Sequence, residues 1–172
     1  MKIKIKITFI HFLVYLTLPF CCLAQENEGM NGEFSFNELT FHSSQCSVSY
    51  PKISMNLYSD KRIEISRRIF TKKGEISKDF TGNFKGYIGD KQFGEIIKLL
   101  ENIDWNKLII NDTVSCEFPI RTIIFSYNGE NKKFKSIQPP AATRKLIKYL
   151  VKLCSTISLP VYSKPIDFEI ID

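Results

Sequence analysis

The stretch from Lys52 to Ile103 most constrains the fold, because its apolar pattern changes from the period of a strand to that of a helix. Apolar residues first alternate with polar ones on both sides of the polar turn 59–62: Ile53, Met55 and Leu57, then Ile63 and Ile65. This period of two predicts a hairpin with one buried face, and a third strand is predicted over 79–88. From Asp90 the apolar residues recur three and four positions apart, as Phe93, Ile96, Ile97, Leu100 and Ile103. The spacing predicts an amphipathic helix.

The segments on either side of this stretch repeat the two patterns. Phe34, Phe36, Leu39 and Phe41 mark a first strand, and 120–127 and 132–137 predict two strands joined at Asn128-Gly129, a dipeptide favoured in type I′ turns. Pro139-Pro140 precedes a second helix with the stripe Leu146, Leu150, Leu153 and Ile157, widened by Ile147, Val151 and Cys154. Hairpin connections predict an α+β fold, an antiparallel sheet with two helices on one face in the order β-β-β-β-α-β-β-α.

The N-terminus has the pattern of a secretory signal peptide over 1–24. Lys2, Lys4 and Lys6 precede the apolar run 7–20, and small residues favour cleavage between Ala24 and Gln25. The run is shorter than the ~20 residues of a membrane-spanning helix. Residues 18–20 before Cys21, and 19–21 before Cys22, fit a lipoprotein signal poorly. We therefore expect an exported chain, periplasmic or secreted rather than lipid-anchored, with no transmembrane span after cleavage.

Cleavage would leave 148 of the 172 residues, enough for one domain with its own core. We expect a flexible leader over 25–33, one α+β domain over 34–158, and a tail over 159–172 that forms an edge strand or a loose acidic extension. Three of the 24 basic residues and none of the 18 acidic ones would leave with the signal, so the net charge falls from +6 to +3. So small a surplus, on an exported chain, argues against nucleic acid as a partner.

Three cysteines would remain, and an oxidising compartment permits a disulfide. Cys154 lies within the apolar stripe of the last helix, where a cysteine usually acts as a small buried hydrophobe. Cys46 and Cys116 lie in polar, loop-like surroundings and form the candidate disulfide. A bridge closing a loop of about 70 residues would add about 4 kcal/mol of stability in the chain-entropy model.

Residues suited to catalysis are sparse in this chain. His42 is the only histidine after the predicted cleavage, and its spacing from Cys46 in a strand and loop does not favour metal binding. We therefore predict no metal site, no cofactor and no catalytic set. The alternative is a periplasmic enzyme of unfamiliar chemistry centred on His42, Cys116 and Glu117, which would require these side chains to converge. Asn111-Asp112-Thr113 has the form of a glycosylation acceptor and marks an exposed loop.

Two groups of basic residues stand out: Lys61, Arg62, Arg67, Arg68, Lys72 and Lys73, and Lys132, Lys133, Lys135, Arg144, Lys145, Lys148 and Lys152. If either group formed one surface, it would favour an acidic partner such as an envelope polyanion or an acidic protein. Solvated strand and helix faces are the interpretation we favour from sequence, since lysines also protect exposed strands from edge pairing. Tyr50, Tyr58, Tyr87 and Tyr127 are candidates for a partner-binding surface of an inhibitor or immunity-type protein.

The order of these segments resembles a family of small exported bacterial domains of unknown function, often carried by envelope lipoproteins. The resemblance covers about 120 residues and depends on short motifs: 45–48 around Cys46, the turn 59–62, the strand end 85–88, Ile103-Asp104-Trp105, Glu117-Phe118-Pro119 and Asn128-Gly129. It implies export, and the family offers no agreed activity to carry over. Because the apolar residues are accounted for by the core and no catalytic set is present in the sequence, we expect a non-enzymatic exported domain that binds a protein or an envelope component.

Overall fold

The computed structural model describes residues 36–47, 50–71, 73–108, 118–127 and 130–168. Six strands form one antiparallel sheet, and a helix follows the fourth and the sixth strand: β1 (Glu38–Ser43), β2 (Lys52–Tyr58), β3 (Arg62–Arg68), β4 (Gly82–Tyr87), α1 (Asp90–Glu101), β5 (Arg121–Tyr127), β6 (Glu130–Ser136) and α2 (Ala141–Thr156). The α+β class and the predicted order of elements are confirmed.

The strands lie in the order β4-β3-β2-β1-β5-β6. Four neighbouring pairs are consecutive in the chain, and the fifth, β1 with β5, joins the two halves of the sheet. In this register Phe41 lies opposite both Met55 and Ile123. The hairpin predicted around the turn 59–62 is confirmed, whereas the Asn128-Gly129 turn lies outside the described residues.

Both helices contribute to one core on one face of the sheet. The predicted stripes are confirmed, because Ile96, Leu100, Leu146 and Leu150 are fully buried among the apolar residues of the strands. Burying each such side chain contributes about 1.5–3 kcal/mol. Trp105 packs its ring against Phe125 at 4.7 Å between centroids, and its Nε1 donates to the Leu100 carbonyl at 3.1 Å. The tryptophan therefore closes the core below α1.

Arg67 is a charged residue on the apolar face of the sheet. Its Nε donates to the Phe80 carbonyl at 3.0 Å, and its Nη1 donates to the carbonyls of Cys154 and Ile157, the latter at 3.1 Å. The guanidinium also lies 4.3 Å from the Phe84 ring centroid. A cation at the C-terminus of α2 satisfies carbonyls that the helix leaves unpaired and meets the negative end of its dipole.

Several strand boundaries differ from the sequence predictions. The first strand begins at Glu38, so Phe36 is buried ahead of it, and it extends to Ser43, so His42 pairs with Ser54 and Thr122. The strand predicted over 79–88 is β4, which begins at Gly82 after a 3₁₀ turn over Lys78–Phe80. Phe80 is consequently 47% exposed rather than part of the core.

The tail after α2 follows the edge of β4 and then crosses the sheet. Lys85 N donates to the Pro160 carbonyl at 3.2 Å, Tyr162 N donates to the Asn83 carbonyl at 2.8 Å, and Val161 forms a bridge with Phe84. These contacts amount to an isolated bridge, and the choice between an edge strand and a loose extension over 159–172 stays a prediction. A Cβ on Gly86 would lie 2.8 Å from Leu159, so the glycine permits the close approach of the tail.

Several predictions lie outside the described residues: the signal peptide, the Ala24–Gln25 cleavage, the leader and the 111–113 glycosylation loop. The Cys46–Cys116 pairing does as well, since Cys116 is not described, and no disulfide joins the cysteines that are. Neither helix within the described ranges combines the length and the apolar character needed to cross a membrane.

Candidate functional site

The face of the sheet opposite the helices carries the only described member of the predicted catalytic group. His42 Nδ1 and Ser54 Oγ share a hydrogen bond of 3.0 Å in a groove of about 480 Å³, and the Phe168 ring of the tail meets the imidazole edge-on at 6.0 Å. Cys116 and Glu117 lie outside the described residues, so the convergence of the three stays a prediction.

The Ser54–His42 pair is a nucleophile-and-base combination in principle. Ser54, however, lies in the middle of β2, where it pairs with His42 on one side and Ser66 on the other. The ladders on both sides use the backbone N–H groups around it, so none of them is available to stabilise an oxyanion. The pair is best explained as a cross-strand hydrogen bond.

A second polar cluster on this face is internally paired. Glu64 is buried, accepts from Lys85 Nζ at 2.8 Å and from the Tyr58 hydroxyl at 3.3 Å, and so has both carboxylate oxygens satisfied. The hydrogen bond to Glu64 raises the pKa of Lys85, and burial raises the pKa of Tyr58. Thr40 donates to Asn56 Oδ1 at 3.0 Å beside them. These groups are saturated by one another, which is typical of structural polar residues.

The fold places Tyr50 apart from Tyr58, and the tyrosine surface stays a prediction. Tyr50 precedes β2 and lies on the helix side, whereas Tyr58 ends β2, a seven-residue strand that spans about 20 Å. Tyr87, 68% exposed, lies on the outer strand β4, and the side chain of Tyr127 lies outside the described part of the chain. The three described tyrosine side chains therefore do not form one patch.

The basic residues are also redistributed by the fold. In the first group Arg67 is buried. Lys61 forms an ion pair with Asp90, and Arg62 forms ion pairs with Asp60 and Glu64. In the second group Lys132 pairs with Glu130 at 2.6 Å, and Lys133 and Lys135 lie on the helix-free face in register with Ile124 and Thr122. Of the described members of the two groups, the cations of α2 form the candidate surface on the helix side.

Three of those α2 cations line one cleft, which we call the basic cleft. It lies between α2 and the segment before β2 and has a volume of about 610 Å³; its lining residues are Tyr50, Pro51, Arg121, Pro139, Arg144, Ile147, Lys148, Val151 and Lys152. Arg144, Lys148 and Lys152 follow one another at intervals of four residues, so they share one side of the helix. Lys145 faces a different groove, shared with α1.

Arg121 is the member of the basic cleft that the sequence analysis missed. It lies in register with Ser43 and Ser136, on the helix side of the sheet, and its Nη1 donates to Ser43 Oγ. Burial lowers the pKa of the Arg121 guanidinium. The sequence could have indicated Arg121, because it alternates with Ile123 and Phe125 and so shares their face of the strand. A charged side chain on the apolar face of a strand requires a hydrogen-bonding partner or a bound ligand.

The four cations of the basic cleft have no acidic partner in the described part of the chain. No ion pair among the described residues includes Arg121, Arg144, Lys148 or Lys152. The sequence of α2 contains no aspartate or glutamate at all. Among the described residues, the cleft therefore combines an apolar floor with a positive rim that no carboxylate neutralises, a combination suited to an anionic ligand with apolar parts.

No group of three or more His, Cys, Asp and Glu side chains suited to a metal ion occurs within the described ranges. Comparison of the chain with protein-family models, with curated proteins and with solved structures found no match.

Proposed function

We propose that this chain is an exported, non-enzymatic binding domain that holds an acidic partner, a protein or an envelope component, in the basic cleft. The observation that carries the proposal is the set of four cations around one apolar-floored cleft without a described carboxylate beside them. Export is the part of the proposal that the N-terminal pattern supports, namely the three early lysines, the apolar run and the small residues before Gln25.

The arrangement of α2 favours a binding role over a stabilising one for these cations. Arg144 lies in the first turn of α2, near the positive end of the helix dipole, and no acidic residue accompanies it there. A cation at this end of a helix is unfavourable by about 0.3–1 kcal/mol. Lys148 and Lys152 then repeat the positive charge at intervals of four residues, a spacing at which like charges repel. Binding an anion is the interaction that would relieve this repulsion.

The test is a fluorescence titration of the purified protein with labelled poly-L-glutamate. A triple variant that replaces Arg144, Lys148 and Lys152 with glutamine should bind at least tenfold more weakly than the wild type. The matched control replaces Lys91, Lys98 and Lys145, which lie outside the cleft, and should bind like the wild type. Binding should also weaken as salt is added, because the charges are solvent-accessible. Equal loss in both variants, or none in either, would refute the proposal.

A further inference from the structure

The chemistry of the basic cleft narrows the class of its acidic partner, an inference that rests on the proposed function. From the lining and the cation spacing, we infer that the partner is an extended polypeptide segment in which acidic and apolar side chains alternate.

The floor of the cleft is the first argument. Ile147 is almost fully buried, Val151 and Tyr50 are half-buried, and Pro51 and Pro139 complete an apolar surface that bears no charge. Phosphate or sugar hydroxyl groups placed on that floor would lose hydrogen bonds to water without gaining others. An aliphatic or aromatic side chain would instead gain free energy by leaving water there. The floor therefore favours a polypeptide over a uniformly hydrated polyanion.

The spacing of the rim cations is the second argument. Arg144, Lys148 and Lys152 are four residues apart along α2, which places their backbone positions about 6 Å apart. Side chains that share one face of an extended chain are about 7 Å apart. Carboxylates at alternate positions of a strand can therefore each meet one cation. The side chains between them point the other way, towards the apolar floor of the cleft.

The probe is a labelled peptide with the core Glu-Leu-Glu-Leu-Glu, and its binding is followed by fluorescence anisotropy. Two matched peptides test the apolar side chains and their alternation separately. Glu-Ser-Glu-Ser-Glu keeps the charge and loses the apolar side chains, and Glu-Glu-Glu-Leu-Leu keeps the composition and loses the alternation. We expect the alternating peptide to bind at least tenfold more tightly than either one. Polyphosphate and vesicles of anionic phospholipid serve as probes of the other two classes of anion.

Variants of the protein locate the site. Lys148→Gln should weaken the alternating peptide about tenfold, whereas Lys145→Gln, the same change on the same helix outside the cleft, should not. Val151→Thr keeps the side-chain shape but replaces a methyl group with a hydroxyl group. It should weaken the binding of the alternating peptide and leave the binding of the serine peptide unchanged.

The outcomes separate the inference from the function on which it rests. One outcome is that the serine peptide, polyphosphate or vesicles bind as tightly as the alternating peptide does, with binding that Lys148→Gln still weakens. That result would overturn the inference and retain an anion-binding cleft. Binding of every anion that is insensitive to Lys148→Gln, or no binding of any, would overturn the proposed function itself.

Discussion

The buried guanidinium of Arg67 gives the sharpest prediction about stability. Arg67 is 5% exposed and donates to the carbonyls of Phe80, Cys154 and Ile157. Replacing it with methionine removes these hydrogen bonds and leaves the buried Cys154 carbonyl and the part-buried Phe80 and Ile157 carbonyls without this donor, and an unsatisfied buried carbonyl costs about 1–3 kcal/mol. The variant also avoids burying a charge, which offsets part of the loss. We expect a net destabilisation of about 2–4 kcal/mol, at the upper end of single-residue effects.

The assay is urea unfolding of wild type, Arg67→Met and Arg67→Lys, followed by far-UV circular dichroism. Lysine retains a charge but lacks the planar guanidinium group that reaches several acceptors. The free energy of unfolding should therefore fall about half as much in Arg67→Lys as in Arg67→Met. Hydrogen exchange of the last turn of α2 should accelerate in both variants, because Arg67 ties that turn to β3. An unfolding free energy for Arg67→Met within about 0.5 kcal/mol of the wild type would refute this account of the helix end.

Three further predictions concern other parts of the fold. Gly94→Ala, in an open position within α1, should stabilise the protein by about 0.5–1 kcal/mol. Gly82→Ala, at φ +139°, should destabilise it by about 1–3 kcal/mol. Equal effects of the two variants in urea unfolding would contradict the difference in backbone conformation. Burial raises the pKa of Cys154 to about 12, so this thiol should resist a thiol reagent at pH 8 until urea unfolds the protein; fast labelling in the native state, read by mass spectrometry, would disprove its burial. The hydrogen bond from Lys61 lowers the pKa of Asp90 below its usual range. The stability that this ion pair contributes is therefore fully present above about pH 4.5 and is lost as the pH falls through the lower folded-state pKa. Asp90→Asn should reduce this acid-induced fall in the urea midpoint, and an unchanged pH profile would count against the pair.

The fold class followed from the sequence because the two apolar periods are separated cleanly along the chain. Ile53 to Ile65 alternate and Phe93 to Ile103 follow a helical spacing, and each set is buried on one side of its element. The pairing of β1 with β5 was not specified by any local pattern, since it joins residues about 80 positions apart. The strand boundaries at Glu38 and Gly82 likewise depend on pairing partners rather than on local propensity.

The candidate site was only partly accessible from sequence. The cations of α2 were visible as a helical row, but a row of lysines is more often a solvated face than a site. What distinguishes this row is Arg121, which β5 brings to the same cleft, together with the floor supplied by Tyr50 and Pro51. These residues come from three separate segments, and only the tertiary packing places them together.

The central claim is that the cations of the basic cleft serve binding at a cost in stability, and Arg144→Glu tests it directly. The carboxylate would favour the N-terminus of α2 and interact with Lys148 one turn later, so the unfolding free energy should rise by about 0.5–1 kcal/mol. Its affinity for poly-L-glutamate should meanwhile fall at least tenfold. A variant that is less stable than the wild type, or one that binds the polyanion as well as the wild type does, would contradict the account.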